Sequence, residues 1–87
     1  MAELTSMCNV GKELARKLES VGIRSAEELT RTGSMEAFLR LKIRYPNVCL
    51  VHLYALQGAI DQTAYNCLPE TIEEELKRFS DSLRERS

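Results

Sequence analysis

Residues 6–23 read SMCNVGKELARKLESVGI, and the fold turns on what the Val-Gly pairs at positions 10–11 and 21–22 do. Between them Leu14, Ala15 and Leu18 recur three and four residues apart, which is the spacing of one helical face. Lys12, Glu13, Arg16, Lys17 and Glu19 lie mostly outside that face. Asn9 stands where a cap is expected, since its side-chain oxygen can accept an amide hydrogen bond from the first turn. Gly22 stands where a helix end favours a left-handed residue, and apolar Ile23 follows to pack back across it. The stretch predicts a helix over residues 11–20, closed by a sharp turn.

Beyond this stretch, Ser25-Ala26-Glu27-Glu28 has the spacing of a capping box. The Ser25 hydroxyl is placed for the Glu28 amide, and the Glu28 carboxylate for the Ser25 amide. A short helix to about Thr32 follows and ends at Gly33. Ser34 repeats the capping device, and Ala37, Phe38, Leu41 and Tyr45 form the inner stripe of a third helix that Pro46 terminates. Val48 to Ile60, VCLVHLYALQGAI, is apolar around most of its circumference, which predicts a helix buried in the middle of a bundle. A strand over residues 48–53 is the competing reading, disfavoured because no other segment looks like a strand to pair with. Gly58 is expected to let a neighbouring helix approach, at roughly 1 kcal/mol of helix propensity relative to alanine.

Asp61 to Cys67 reads as a polar connection with Tyr65 as its one large apolar anchor. Leu68-Pro69-Glu70 opens the last helix, because proline suits a first turn and Glu70, Glu73 and Glu74 suit the positive end of the helix dipole. Lys77, Arg78, Arg84 and Arg86 fall toward the other end. Ile72, Leu76, Phe79 and Leu83, spaced four, three and four, make one apolar seam, too short for a coiled coil. The expectation is that this seam docks on the bundle. Were the helix to project over residues 80–87, the same seam would bury itself against a second copy and give a homodimer.

Bulk properties narrow the function classes. A chain of 87 residues makes one domain and buries roughly 60–65% of the surface its unfolded form exposes. With 44% hydrophobic and 29% charged residues it has the composition of a soluble globular domain. The net charge of -1 supplies no overall basic field of the kind that draws proteins onto nucleic acid. The total conceals a mild asymmetry: residues 1–48 hold eight Lys/Arg and six Asp/Glu, residues 49–87 four and seven. Cys8, Cys49 and Cys67 are an odd number of thiols at wide spacings, so no disulfide framework is indicated and reduced cysteines in a cytoplasmic protein are expected. No secretory signal opens the sequence, and its longest apolar run falls short of the ~20 residues of a membrane span. His52, the one histidine, shares a helix face with Cys49, but two ligands make half a metal site at best. No nucleophile–base triad and no carboxylate pair can be assembled. The expectation is a protein that is not an enzyme and takes no cofactor or metal.

The opening segment, Leu4-x-x-Met7-Cys8-Asn9-Val10-Gly11-Lys12-x-x-Ala15-x-x-Leu18, resembles the helix-hairpin-helix motif. There an apolar-Pro-Gly-apolar-Gly turn leads into a helix with a small residue four positions on. Hairpin amides and the helix N-terminus in that motif present donors to a phosphate oxygen. Gly11 matches the second glycine and Ala15 the small residue; Asn9 replaces the first glycine and Cys8 the proline. Asparagine readily takes positive φ, so the turn survives the exchange. Its side chain would either block a phosphate or supply a donor of its own. The reading preferred from the residues is that the hairpin only packs helices together.

The resemblance widens through Leu18-x-x-Val21-Gly22-Ile23, Glu27-Glu28-Leu29-x-x-x-Gly33, Ala37-x-x-x-Leu41-Lys42, Leu50, Leu53-x-Ala55-Leu56-x-Gly58-Ala59 and Leu68-Pro69. Together these are similar to the C-terminal domain of the TfoX (Sxy) family, bacterial regulators of DNA-uptake competence, from about Leu4 to Leu76. The N-terminal domain of that family has no counterpart in these residues. The resemblance implies an all-α, compact five-helix domain over residues 1–87 with a helix-hairpin-helix or SAM-like arrangement, tied to transcriptional regulation and without catalysis. The expected function is a regulatory module that binds a protein partner. The alternative is weak, sequence-independent binding to the DNA backbone through Asn9, Val10 and Gly11, with Lys12, Arg16 and Arg24 adding charge. No membrane role is expected.

Overall fold

The computed structural model describes residues 2–86, with side chains described through residue 83. A short 3-10 turn, Leu4–Ser6, precedes five α-helices: α1 (Lys12–Ser20), α2 (Ala26–Thr32), α3 (Ser34–Arg44), α4 (Leu50–Asp61) and α5 (Glu70–Arg86). Among the described residues there is no strand, so the competing reading of residues 48–53 falls and the all-α class stands. The last three residues of α5 carry no described side chains, so Arg84 and Arg86 of the expected basic end lie outside the described side chains, and residue 87 outside the described residues.

Helix α4 is the central element. Leu53, Ala55, Leu56, Gly58 and Ala59 are all buried, whereas α1 buries only Ala15 and Leu18. It packs against α3 and α5 and runs antiparallel to α3, since Ser34 at the start of α3 bonds Gln57 late in α4 and Lys42 near the end of α3 donates to the Val48 carbonyl just before α4; α3 buries Ala37, Phe38 and Leu41. Leu18, Ile23, Leu29, Leu41, Leu53 and Leu56 have essentially no exposed surface and join Phe38 in one continuous core. Fully burying a side chain of this size is worth about 1.5–3 kcal/mol, so this cluster dominates the stability of so small a domain. The 3-10 turn was not expected; it buries Leu4 and brings Ala2 alongside α2, where the Ala26 amide donates to the Ala2 carbonyl at 3.0 Å.

The helix punctuation follows the sequence in outline and departs from it in detail. Gly22 and Gly33 take φ of +90° and +87°, which end α1 and α2 as expected. The Ser25 hydroxyl accepts from the Glu28 amide at 3.1 Å, but the Glu28 carboxylate reaches back to the amide of Arg24, one residue before the expected Ser25. Ser34 does not cap α3. Gly33 already turns directly from α2 into α3, which leaves Ser34 inside the first turn, buried and donating to Gln57 Oε1 at 2.6 Å. Helix α1 is capped at Gly11 rather than Asn9, and no side chain bonds to its first amides. Helix α4 runs one residue past the expected end and closes on Gln62, a non-glycine residue in the left-handed region (φ +57°).

The apolar seam of α5 lies against the domain's own core. Leu76 is buried, and Ile72, Phe79 and Leu83 are half-buried against the same cluster. Tyr65, expected to anchor the α4–α5 connection through its ring, is 45% exposed. The connection is held by backbone instead, through the contact described next.

Candidate functional site

The hairpin that precedes α1 is built around Asn9, which adopts φ +68°. With the backbone in that region, its side chain does not point to solvent. Asn9 Nδ2 donates to the Thr63 carbonyl at 2.9 Å and, at a longer 3.4 Å, to that of Ala55, while Asn9 Oδ1 accepts from the Tyr65 amide at 3.1 Å. One side chain therefore joins the hairpin, the body of α4 and the connection beyond it. Gly58 makes room for this. A Cβ on Gly58 would lie 2.4 Å from the Thr63 carbonyl oxygen and 2.5 Å from Asn9 Nδ2. The expected approach of a neighbouring helix at Gly58 is thus an approach by the hairpin amide and a turn carbonyl. Asn9 neither caps α1 nor offers a free donor to a phosphate.

The other residues of the hairpin divide. Val10 is buried, whereas Gly11, Lys12 and Arg16 are exposed on one side. Gly11 has φ -87° and ψ -178°, open to any residue, and a methyl placed there would meet nothing within 4 Å. Packing does not account for glycine at this position. Arg24 is exposed as well, beyond the C-terminal end of α1.

A cationic cluster flanks this face. The Lys17 ammonium lies 5.3 Å and the Arg44 guanidinium 5.9 Å from the Tyr45 ring centre, and Tyr45 Oη shares a 2.8 Å hydrogen bond with Ser20 Oγ. The Ser20 hydrogen bond, followed by the two cations, holds the Tyr45 hydroxyl below the ordinary tyrosine pKa. Tyr54 behaves oppositely, pushed up by burial and by Glu73 and Asp81. A groove of about 470 Å³ separates the hairpin from the start of α4, bordered by Asn9, Gly11, Lys17, Val51 and His52. His52 Nδ1 accepts from the Cys49 amide at 3.1 Å, with Cys49 Sγ at 3.5 Å, which is a cap on α4. Among the described residues no three His, Cys, Asp or Glu side chains gather as a metal site, and all three cysteines are free and exposed.

A second surface was not read from the sequence. On α3, Met35, Leu39 and Ile43 follow one another at intervals of four as a ridge, on a different line from Ala37, Phe38 and Leu41; Met35, at one end, packs against the core, and the line ends in exposed Ile43. Met35 and Leu39 are half-buried and Ile43 is 84% exposed, the most exposed large apolar side chain described. Beside the ridge runs a groove of about 540 Å³ between α3 and α5, lined by Met35, Leu39, Ile72 and Phe79 with Glu36 and Glu75 on its rim. The signal was present as the apolar residues of α3 left over once its inner stripe had been assigned.

No helix among the described residues is long and apolar enough to cross a membrane. Residues 1–80 match the family described as the TfoX C-terminal domain. Among curated proteins, nothing matches. Two crystal structures are similar over nearly their whole length. One is an uncharacterized protein from Listeria monocytogenes in a triclinic form, 41% identical, with a TM-score of 0.93 over 95% of this chain and 94% of that one. The other is a protein of unknown function from Listeria monocytogenes in a tetragonal form, 41% identical, with a TM-score of 0.90 over 93% and 99%.

Proposed function

Because this chain belongs to the TfoX C-terminal domain family, we propose that it is a non-enzymatic, cytoplasmic regulatory module that works by binding a protein partner. The observation that carries this reading is the α3 ridge. A small domain that keeps Leu18, Ile23, Leu29, Leu53 and Leu56 wholly out of water leaves Ile43 84% exposed, in line with Leu39 and Met35 and beside an apolar groove. Ridges of this spacing are what a partner helix or groove recognises. The family's link to competence regulation supports a regulatory setting for that contact.

The test is affinity capture from the native cell with wild type and Ile43→Lys. Recovery of the same protein by wild type and its loss with Ile43→Lys supports the reading; equal recovery by both removes it.

Weak binding to the DNA backbone is the second reading, and Gly11 favours it. Its bare backbone is required by neither φ nor packing, and it opens a helix whose first amides no side chain caps, next to exposed Lys12 and Arg16. A close-approaching phosphate would account for all three features. Against it stands the inward Asn9 amide. In a duplex titration by fluorescence anisotropy, this mode gives affinity that falls steeply with salt and a shallower slope for Lys12→Glu. Absence of binding at low salt eliminates it.

A further inference from the structure

On α2, Glu27 and Arg31 stand one turn apart, the separation at which opposite charges on a helix pair. That pair is not made. The Glu27 carboxylate instead takes the Ala2 amide through both oxygens, at 3.0 and 3.1 Å. Arg31 is left without an ion pair among the described residues. It borders a cavity of about 800 Å³, larger than either groove described above, bounded by the N-terminal turn, α2 and the end of α4. Ala59 is buried, and Met7 and Ile60 are half-buried against the core, so one side of the cavity is an apolar surface backed by the core. The polar lining divides. Ser6 Oγ donates to the Glu3 carbonyl and Thr30 Oγ1 to the Ala26 carbonyl, so both hydroxyls are already engaged. Arg31, Gln62 and Cys8 are the lining side chains left to meet a ligand.

We propose that this cavity binds a small carboxylic acid, its apolar body against Met7, Ala59 and Ile60 and its carboxylate on the Arg31 guanidinium. The volume lies within the roughly 300–1,000 Å³ of small-molecule sites. An unpaired guanidinium matches a carboxylate through two parallel hydrogen bonds. Charge sets the class of anion. A phosphate monoester carries close to two negative charges and would meet the Glu27 carboxylate with one cation to offset it, whereas a monoanion is balanced by Arg31 alone. The unbranched Met7 side chain adapts to the shape of the apolar body. No residue of α3 borders the cavity, so this site stands or falls separately from the α3 ridge.

Cys8 is exposed at the edge of the cavity and reports its occupancy, while Cys49 and Cys67 are exposed outside it and serve as controls. The probe is 4-phenylbutyrate, whose size sets an expected dissociation constant of about 1 mM. Alkylation of the whole chain by iodoacetamide, followed cysteine by cysteine with peptide mass spectrometry, should slow several-fold at Cys8 in about 10 mM probe and stay unchanged at Cys49 and Cys67. The neutral 4-phenylbutan-1-ol, with the same apolar body, should protect Cys8 about ten-fold more weakly. Arg31→Gln should bring the acid down to the level of the alcohol and leave the alcohol unaffected, with an unchanged melting temperature because Arg31 is exposed. Absence of protection at Cys8, equal slowing at all three cysteines, or an acid effect indifferent to Arg31→Gln overturns the inference. Slowing at Cys8 that follows protein concentration instead of the acid puts a second copy in the cavity and overturns it equally.

Discussion

Replacing Asn9 by glycine separates architecture from phosphate binding, because it moves the hairpin toward the helix-hairpin-helix pattern while removing every contact of the side chain. Glycine keeps the φ of +68° without strain, so the backbone turn is not the variable. What is lost is the bond to the Thr63 carbonyl at 2.9 Å, the bond from the Tyr65 amide at 3.1 Å and the longer one to Ala55. A net 0.5–1.5 kcal/mol for each of the two good bonds gives about 2 kcal/mol of destabilisation. For a domain of this size that lowers the melting temperature by about 10 °C. Asn9→Ala should be worse by about 1 kcal/mol, since it adds a side chain in a left-handed conformation without restoring a bond. Gly58→Ala attacks the contact from the other side: its methyl must displace the Thr63 carbonyl, at about 1–3 kcal/mol, offset by about 1 kcal/mol of helix propensity. Because both changes break one contact, the double variant should be less destabilised than the sum. Urea denaturation followed by circular dichroism measures the four variants against the wild type. A loss below about 0.5 kcal/mol for Asn9→Gly, or strict additivity with Gly58→Ala, refutes the lock.

Further outcomes follow from other contacts. Ser34→Ala should destabilise by about 1 kcal/mol, because it removes the only neutral donor to Gln57 Oε1 described in the core and leaves the amide to solvent through the α3–α5 groove. His52→Ala should destabilise by about 1 kcal/mol through loss of the Cys49 amide cap, read in the same urea assay. An ultraviolet titration should resolve Tyr45 ionising below the ordinary tyrosine value and Tyr54 above it, with Tyr45→Phe removing the first step and Ser20→Ala moving it upward. Since the folded pKa of Tyr45 is depressed, its contribution to stability is present above the ordinary value and lost as pH falls through the lowered one. The raised Tyr54 contributes below the ordinary value and loses that contribution as pH rises. A single unresolved tyrosine step would contradict both.

Much of the fold was legible because local signals and burial agreed. Leu14, Ala15 and Leu18 marked the inner face of α1, Gly22 and Gly33 marked turns that require positive φ, and the uninterrupted apolar run around Leu53 and Leu56 marked the central helix. Legibility failed where a polar residue had two uses. Asn9 carries the same composition signal as a helix cap and as a left-handed bridge, and only the position of Thr63 and Tyr65, more than fifty residues on, decides between them. Ser34 looks like a cap in sequence, yet Gly33 already occupies that role, so its hydroxyl is buried against Gln57. Tyr65 reads as an anchor by its ring, while its backbone amide makes the contact. The α3 ridge was missed for a different reason: Leu39 and Ile43 resemble ordinary helix composition until the core is seen to be complete without them.

The claim that α3 is the interaction face is tested most directly by photo-crosslinking at that face in the cell. A benzophenone side chain placed at position 43 should yield a discrete adduct, while the same group at position 51 yields none. Adducts of equal yield at both positions, or none at position 43, would contradict the account.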